Sequence, residues 1–295
     1  ITQENLGHTG HLVFLGPLYQ EVLESPTDDS GTTVASHLAA SRISAIAGVA
    51  NIGSEINWTG HPFAQANWYT FGRQAWNPAL KAADIAREWI RMTFTCEPEA
   101  VATIGDMMDS SRETYVDYTM PLGLNHIMNY NTHNGPEPWH DDPVWTAFDY
   151  HKISADSIGV DRTSRGTGAV MQYHPAIARR FDSPDTCPEN LLLWFHRLPW
   201  DYRLKNGKTL WQGLVDSYYA GVDNVRAMQH QWESVGPFID SQRHERVARL
   251  LRNQEQEAMW WRDGCLLFFD SYARKGIPSD REQPAHTLNY YKRIP

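Results

Sequence analysis

Few positions in this 295-residue chain combine a reactive group with a setting that would present it. Glu4 is one. In Ile1-Thr-Gln-Glu-Asn-Leu-Gly7 a β-compatible dipeptide runs into a polar turn, and at the C-terminal end of a strand in a parallel barrel such a carboxylate stands on the face where catalytic groups are presented. On residue type alone, one glutamate among 35 acidic residues is a solvated surface group, so two readings stand. The loop Asn51-Ile-Gly-Ser-Glu-Ile-Asn-Trp-Thr-Gly-His61 is a second place. Its Trp58 and His61 would line a sugar site, or Trp58 would pin the loop while His61 caps the next helix. The third is the segment from Asn125 to His140, in which Pro136 and Pro138 flank Glu137 and would hold Trp139 in place at little entropic cost. A rigid indole there would serve as a platform for a sugar ring or as a structural plug.

Other chemistries find no support. There is no glycine-rich phosphate loop, no His-Glu-x-x-His and no Gly-x-Ser-x-Gly. His126, His133 and His140 recur every seven residues, but in a loop, where such spacing carries little meaning, so no metal and no organic cofactor is expected. Cys96, Cys187 and Cys265 have neither the even count of a disulfide framework nor a zinc spacing. They permit a reducing compartment without proving one; the location is unknown from the sequence, with a cytoplasmic one favoured and a secreted one open. A net charge of −9 and the lack of a dense basic run exclude nucleic acid as the expected partner. Apolar runs such as Leu191 to Phe195 are too short to span a bilayer.

The elements that must position these residues change in character along the chain. Two apolar runs, His11 to Leu15 and Ile43 to Ala50, read as strands buried on both faces. Helical patterns over Pro17 to Glu24 and Val34 to Ser41 lie between them, which is the βα order of a parallel sheet. Pro62 suits the first turn of a helix running to Trp76. Beyond Ala79 the expectation is helix and loop: Lys81 to Met92, Pro98 to Ser110, Leu191 to Phe195, Gly207 to Trp232 and Phe238 to Tyr272. Met120 to Pro188 reads as a long loop, which is functional or hides elements of its own. Pro278 to Pro295 reads as a surface strap. Two or three strands cannot close a barrel of eight, so the native chain is expected to continue upstream.

Several blocks together resemble the family 67 glycoside hydrolases, the α-glucuronidases that remove 4-O-methylglucuronic acid from xylo-oligosaccharides. They are Ile1 to His8, Asn51 to Arg73, Gly135-Pro-Glu-Pro-Trp139, Ile158-Gly-Val-Asp-Arg-Thr163, Cys187 to His196 and Trp261-Arg-Asp-Gly-Cys265. The resemblance implies an α/β plus all-α fold: residues 1–78 as the last strands of a catalytic (β/α)8 barrel and residues 79–295 as a mainly helical C-terminal domain that supports homodimers. It implies an inverting mechanism, in which a general acid and a base stand roughly 6.5 to 9.5 Å apart across an attacking water. Glu4 matches the glutamate that shares the base function in the family. The acid, the aspartate partner of the base, and the basic residues that grip the substrate carboxylate lie upstream of Ile1 in the family. Asn5 departs from the tyrosine of many relatives, and Trp139 is the best candidate for the aromatic that the helical domain lends to the pocket. The competing expectation is a non-catalytic helical module that binds carbohydrate or a partner subunit.

Overall fold

The computed structural model describes residues 10–27, 30–42, 44–49, 59–130, 134–141 and 151–293. Among them the chain is mainly helical: α1 (Gly16–Glu24), α2 (Val34–Ala40), α3 (Pro62–Trp76), α4 (Ala82–Thr93), α5 (Pro98–Thr119), α6 (Pro175–Asp182), α7 (Leu192–Phe195), α8 (Leu210–Ser234), α9 (Ser241–Ala273) and α10 (Leu288–Tyr291). A two-residue antiparallel pair, β1 (Ser157–Ile158) with β2 (Leu198–Pro199), is the one sheet among the described residues. The chain divides into two compact units, residues 1–115 with 223–256, and residues 116–222 with 257–295.

In the first unit the core is built from an aromatic cluster. Phe63, from the first turn of α3, lies 5.6 Å from Trp89, 5.3 Å from Phe94 and 5.9 Å from Trp232, ring centre to ring centre. Leu12, Phe14, Ile90, Ile104, Met107, Val247 and Leu251 close around it. Trp232 is fixed from both sides, its ring stacked on His244 at 5.5 Å and its Nε1 donating to the His244 carbonyl at 2.9 Å. A buried indole needs such a partner for its N–H.

The two apolar runs expected as buried parallel strands do not form ladders among the described residues. Residues 11–15 belong to no helix or strand and their centre is fully buried, but helix side chains satisfy their main chain. Leu12 N donates to Gln254 Oε1 at 2.9 Å, Phe14 N to Ser111 Oγ at 2.8 Å and Leu15 N to Asn67 Oδ1 at 2.8 Å, while Asn67 Nδ2 donates to the Val13 carbonyl at 2.9 Å. Buried main-chain groups must be paired somewhere, and here amides and a hydroxyl replace a neighbouring strand. Residues 44–49 are largely exposed, Val49 by 66 %, and Val49 takes part in a β-bridge.

The expected helices are present within a few residues, and α5 runs one turn or more beyond the expected Ser110. The long loop from Met120 to Pro188 does hide elements. β1 and α6 lie in it, and their brevity left no periodic signal.

In the second unit the sequence blocks clasp one another. Arg162 N donates to the Phe195 carbonyl at 2.9 Å and the Arg162 guanidinium stacks over Trp194 at 3.9 Å. Asp161 Oδ1 accepts from Thr163 N at 3.0 Å. Gly159 has φ +102° and faces the His196 carbonyl so closely that a Cβ would collide with it. Ile158 to Thr163 and Cys187 to His196 are therefore two halves of one structural joint. The tail is more than a strap, because it ends in α10 and docks Tyr291 into the interior.

Candidate active site

Of the four residues singled out as candidates, Glu4 and Trp58 lie outside the described residues, His61 belongs to the first unit and Trp139 to the second. His61 is the N-cap of α3, with Pro62 following as the first helical residue. Its Nδ1 accepts from Phe63 N at 3.2 Å, and its carbonyl accepts from Ala64 N at 3.0 Å. Capping of this kind satisfies main-chain donors that a helix start leaves open. Because Nδ1 is an acceptor, the ring proton resides on Nε2.

That Nε2–H is buried and has no hydrogen-bond partner among the described residues. The His61 side chain is only 1 % exposed. Burial, with the nearby His11 and Arg246 adding to it, pushes its pKa down to about 3. The imidazole is consequently neutral at ordinary pH, with its one ring proton on Nε2. The capping and the binding readings use different nitrogens of the same ring and are compatible. His11, also buried, meets Tyr115 edge to face at 5.8 Å.

Trp139 lies three residues beyond an isolated antiparallel bridge of the second unit. Met128 pairs with Pro136 in an antiparallel bridge, Glu137 N donates to the Ile127 carbonyl at 2.8 Å, and Asn129 N donates to the Gly135 carbonyl at 2.9 Å. The Glu137 carboxylate turns back to accept from Tyr130 N at 2.8 Å, and Tyr130 stacks on His140 at 4.8 Å. Trp139 is half-buried. Its ring meets Phe268 edge to face at 6.2 Å and lies against Gly264, where an added Cβ would touch it at 3.6 Å. One edge of the indole is thus spent on α9, as the plug reading has it, and its remaining exposed surface is what a sugar could use.

The block Trp261 to Cys265 supplies the groove that receives this segment and also a buried ionic cluster that sequence reading did not single out. Arg262 is fully buried, with Nε 2.7 Å from Asp263 Oδ1, Nη1 2.9 Å from Glu282 Oε2, and its guanidinium 4.7 Å over the Tyr219 ring. Asp263 Oδ2 also accepts from Tyr291 Oη at 2.8 Å. The Arg-Asp dipeptide inside an otherwise apolar helix face was the signal available for it. These groups tie the tail to α9.

Comparison with known proteins divides the chain elsewhere, at residues 58 and 59. Residues 59–282 match the model of the glycosyl hydrolase family 67 C-terminus, and residues 1–58 match that of the family 67 middle domain. Alpha-glucuronidase A of Emericella nidulans is 36 % identical over 292 residues, which take in 95 % of this chain and 34 % of that protein. The alpha-glucuronidase of Hypocrea jecorina is 35 % identical over 309 residues, covering 100 % of this chain and 35 % of its own length. The chain spans about a third of the length of the curated relatives it matches. It belongs to glycosyl hydrolase family 67.

Proposed function

We propose that the chain is the C-terminal part of an α-glucuronidase that removes (4-O-methyl)glucuronic acid from substituted xylo-oligosaccharides with inversion. The relatives' common name and the family match running from residue 1 to residue 282 carry this reading. In it, residues 1–78 complete a catalytic (β/α)8 barrel and residues 79–295 form the helical domain through which two copies pair. Glu4 serves as base or base partner toward the attacking water. A general acid from outside these residues protonates the leaving oxygen, which an inverting pair requires. No metal or organic cofactor takes part.

Trp58 and Trp139 supply aromatic surface for the sugar rings. His61 presents its Nε2–H to an acceptor of the substrate or of the loop that precedes it. The neutrality and burial of His61 support a donor of fixed direction, which positions without titrating.

The test is release of 4-O-methylglucuronic acid from a short aldouronic acid, first by this chain after circular dichroism has confirmed folding, then by the full product of its reading frame. The expected result is no turnover by the 295 residues alone, because one carboxylate lacks its acid partner, and Glu4-dependent turnover by the longer product. Turnover by the short chain that disappears in Glu4→Ala would place a second carboxyl group within it. A longer product that folds and releases no sugar acid would overturn the α-glucuronidase reading.

A further inference from the structure

Helix α3 buries three polar side chains in a row. Asn67, Thr70 and Gln74 are spaced i, i+3 and i+7, which is one face of a helix, and Thr70 and Gln74 are 0 % and 1 % exposed. Asn67 pairs its amide with irregular main chain, accepting from Leu15 N at 2.8 Å and donating to the Val13 carbonyl at 2.9 Å. Gln254 treats Leu12 in the same way, accepting at 2.9 Å and donating at 3.4 Å. Side-chain amides that pair with main chain outside helices and ladders are therefore a recurrent device of this unit.

Two turns along α3 from Asn67, the same device stands idle. Neither atom of the Gln74 amide has a partner among the described residues, nor has Thr70 Oγ1, nor the Tyr19 hydroxyl. Gln74 lines a groove of about 320 Å³ together with Leu18, Tyr19, Val22, Ile46 and Phe71. A buried amide with both its donor and its acceptor unused is rare and costly in a finished interior.

We propose that an extended segment of the family 67 middle domain, lying outside these 295 residues on the same longer polypeptide, fills this groove and pairs its main-chain N–H and C=O with Gln74. Its apolar side chains lie among Leu18, Val22 and Phe71. The occupant follows from three observations. An extended strand offers donor and acceptor in the pairing that Gln254 and Asn67 already use. The middle-domain model matches only residues 1–58, and those residues build one wall of the groove through Leu18 to Leu23 and Ile46. The relatives carry about twice as much chain again outside the matched part. The proposal rests on the family 67 reading of the longer polypeptide, but not on its catalytic activity.

The experiment uses the full product of the reading frame with Cys96→Ser as background. Val22→Cys in the groove wall is compared with Met92→Cys on α4, the two native side chains being 52 % and 62 % exposed in this structure. Maleimide labelling is read peptide by peptide by mass spectrometry. The expected result is labelling at position 22 at least ~10-fold slower than at position 92, unchanged on dilution. Equal rates would overturn the proposal, and so would protection that fades on dilution, which would assign the groove to a second copy. Gln74→Met gives an independent readout: a lowered Tm in the longer polypeptide, and an unchanged or raised Tm in the 295-residue chain. A shift of the same downward sign in both overturns the proposal. Slow labelling in a product that releases no sugar acid would leave the docking intact while the enzyme reading fails.

Discussion

Leu12 and Gln254 are 242 residues apart in sequence and are joined by two hydrogen bonds, Leu12 N to Gln254 Oε1 at 2.9 Å and Gln254 Nε2 to the Leu12 carbonyl at 3.4 Å. Both residues are fully buried. Gln254→Leu keeps the approximate shape and removes both partners, leaving a main-chain donor and acceptor unpaired in the interior. The expected loss is about 2 to 4 kcal/mol, read as a lower urea midpoint with an unchanged slope.

The neutral state of His61 makes stability depend on pH with a definite sign. Its folded pKa is lowered from 6.5 to about 3, so the unfolded chain binds a proton that the native chain refuses. The stabilisation is complete above about pH 6.5 and is lost as pH falls toward about 3, at up to ~1.4 kcal/mol per pH unit. His151, also buried and held at about 4, acts with the same sign. His61→Asn retains a capping side chain that does not titrate. Urea unfolding between pH 4 and 7 should show a shallower acid slope for this variant than for wild type, and parallel slopes would refute the assignment.

The Arg262 cluster predicts an asymmetry between its partners. Arg262→Met leaves the Asp263 carboxylate buried without its cation, and removal of one member of such a pair costs about 3 to 5 kcal/mol. Glu282 is half-exposed, with a side chain 47 % accessible, so Glu282→Gln should cost under ~1 kcal/mol. Limited proteolysis should cut the tail beyond Ala273 faster in Arg262→Met, while Glu282→Gln stays close to wild type.

Gly159→Ala should be among the most damaging small substitutions in the second unit. A methyl group would collide with the His196 carbonyl, and φ +102° is a conformation that alanine resists. A loss of at least ~2 kcal/mol is expected. Gly168→Ala, at φ +74° with nothing within 4 Å of the added carbon, should cost less. Thermal unfolding of the two variants side by side checks the order.

In the longer enzyme, Glu4→Gln should lower kcat at least ~100-fold with a much smaller change in KM, as expected for a group that acts on the attacking water. A KM change alone would make Glu4 a binding residue.

The helices were legible in the sequence because apolar periodicity and end signals coincide. Pro62 opens α3 and Asn77-Pro78 closes it, and the stripe Val247, Leu251, Ala258 faces inward as its spacing requires. The segment at residues 11–15 misled for a physical reason. A run of buried apolar residues says that both faces are covered, but not whether main chain or side chain satisfies its hydrogen bonds. Ser111, Asn67 and Gln254 make that choice from 52 to 242 residues away.

Of the candidate site residues only His61 and Trp139 fall among the described residues, and their surroundings were legible in part. A histidine before proline at a helix start pointed to the capping role of His61, but its buried Nε2–H and neutral charge depend on packing from distant elements. For Trp139 the two prolines indicated rigidity, while Gly264 and Phe268 on α9 decide which edge of the ring is spent. Arg262 and Asp263 were missed because a charged pair within a helix reads as a solvated face until the tail covers it.

The pairing of Leu12 with Gln254 also sets a schedule for synthesis. Translation delivers about 5 to 20 residues per second, so Gln254 follows Leu12 from the ribosome by roughly 12 to 50 seconds across those 242 residues. Throughout that interval the apolar segment at Leu12 lacks the helix that closes over it, and the first unit cannot complete itself in order of emergence. A nascent chain of this design carries an unfinished core until α9 arrives.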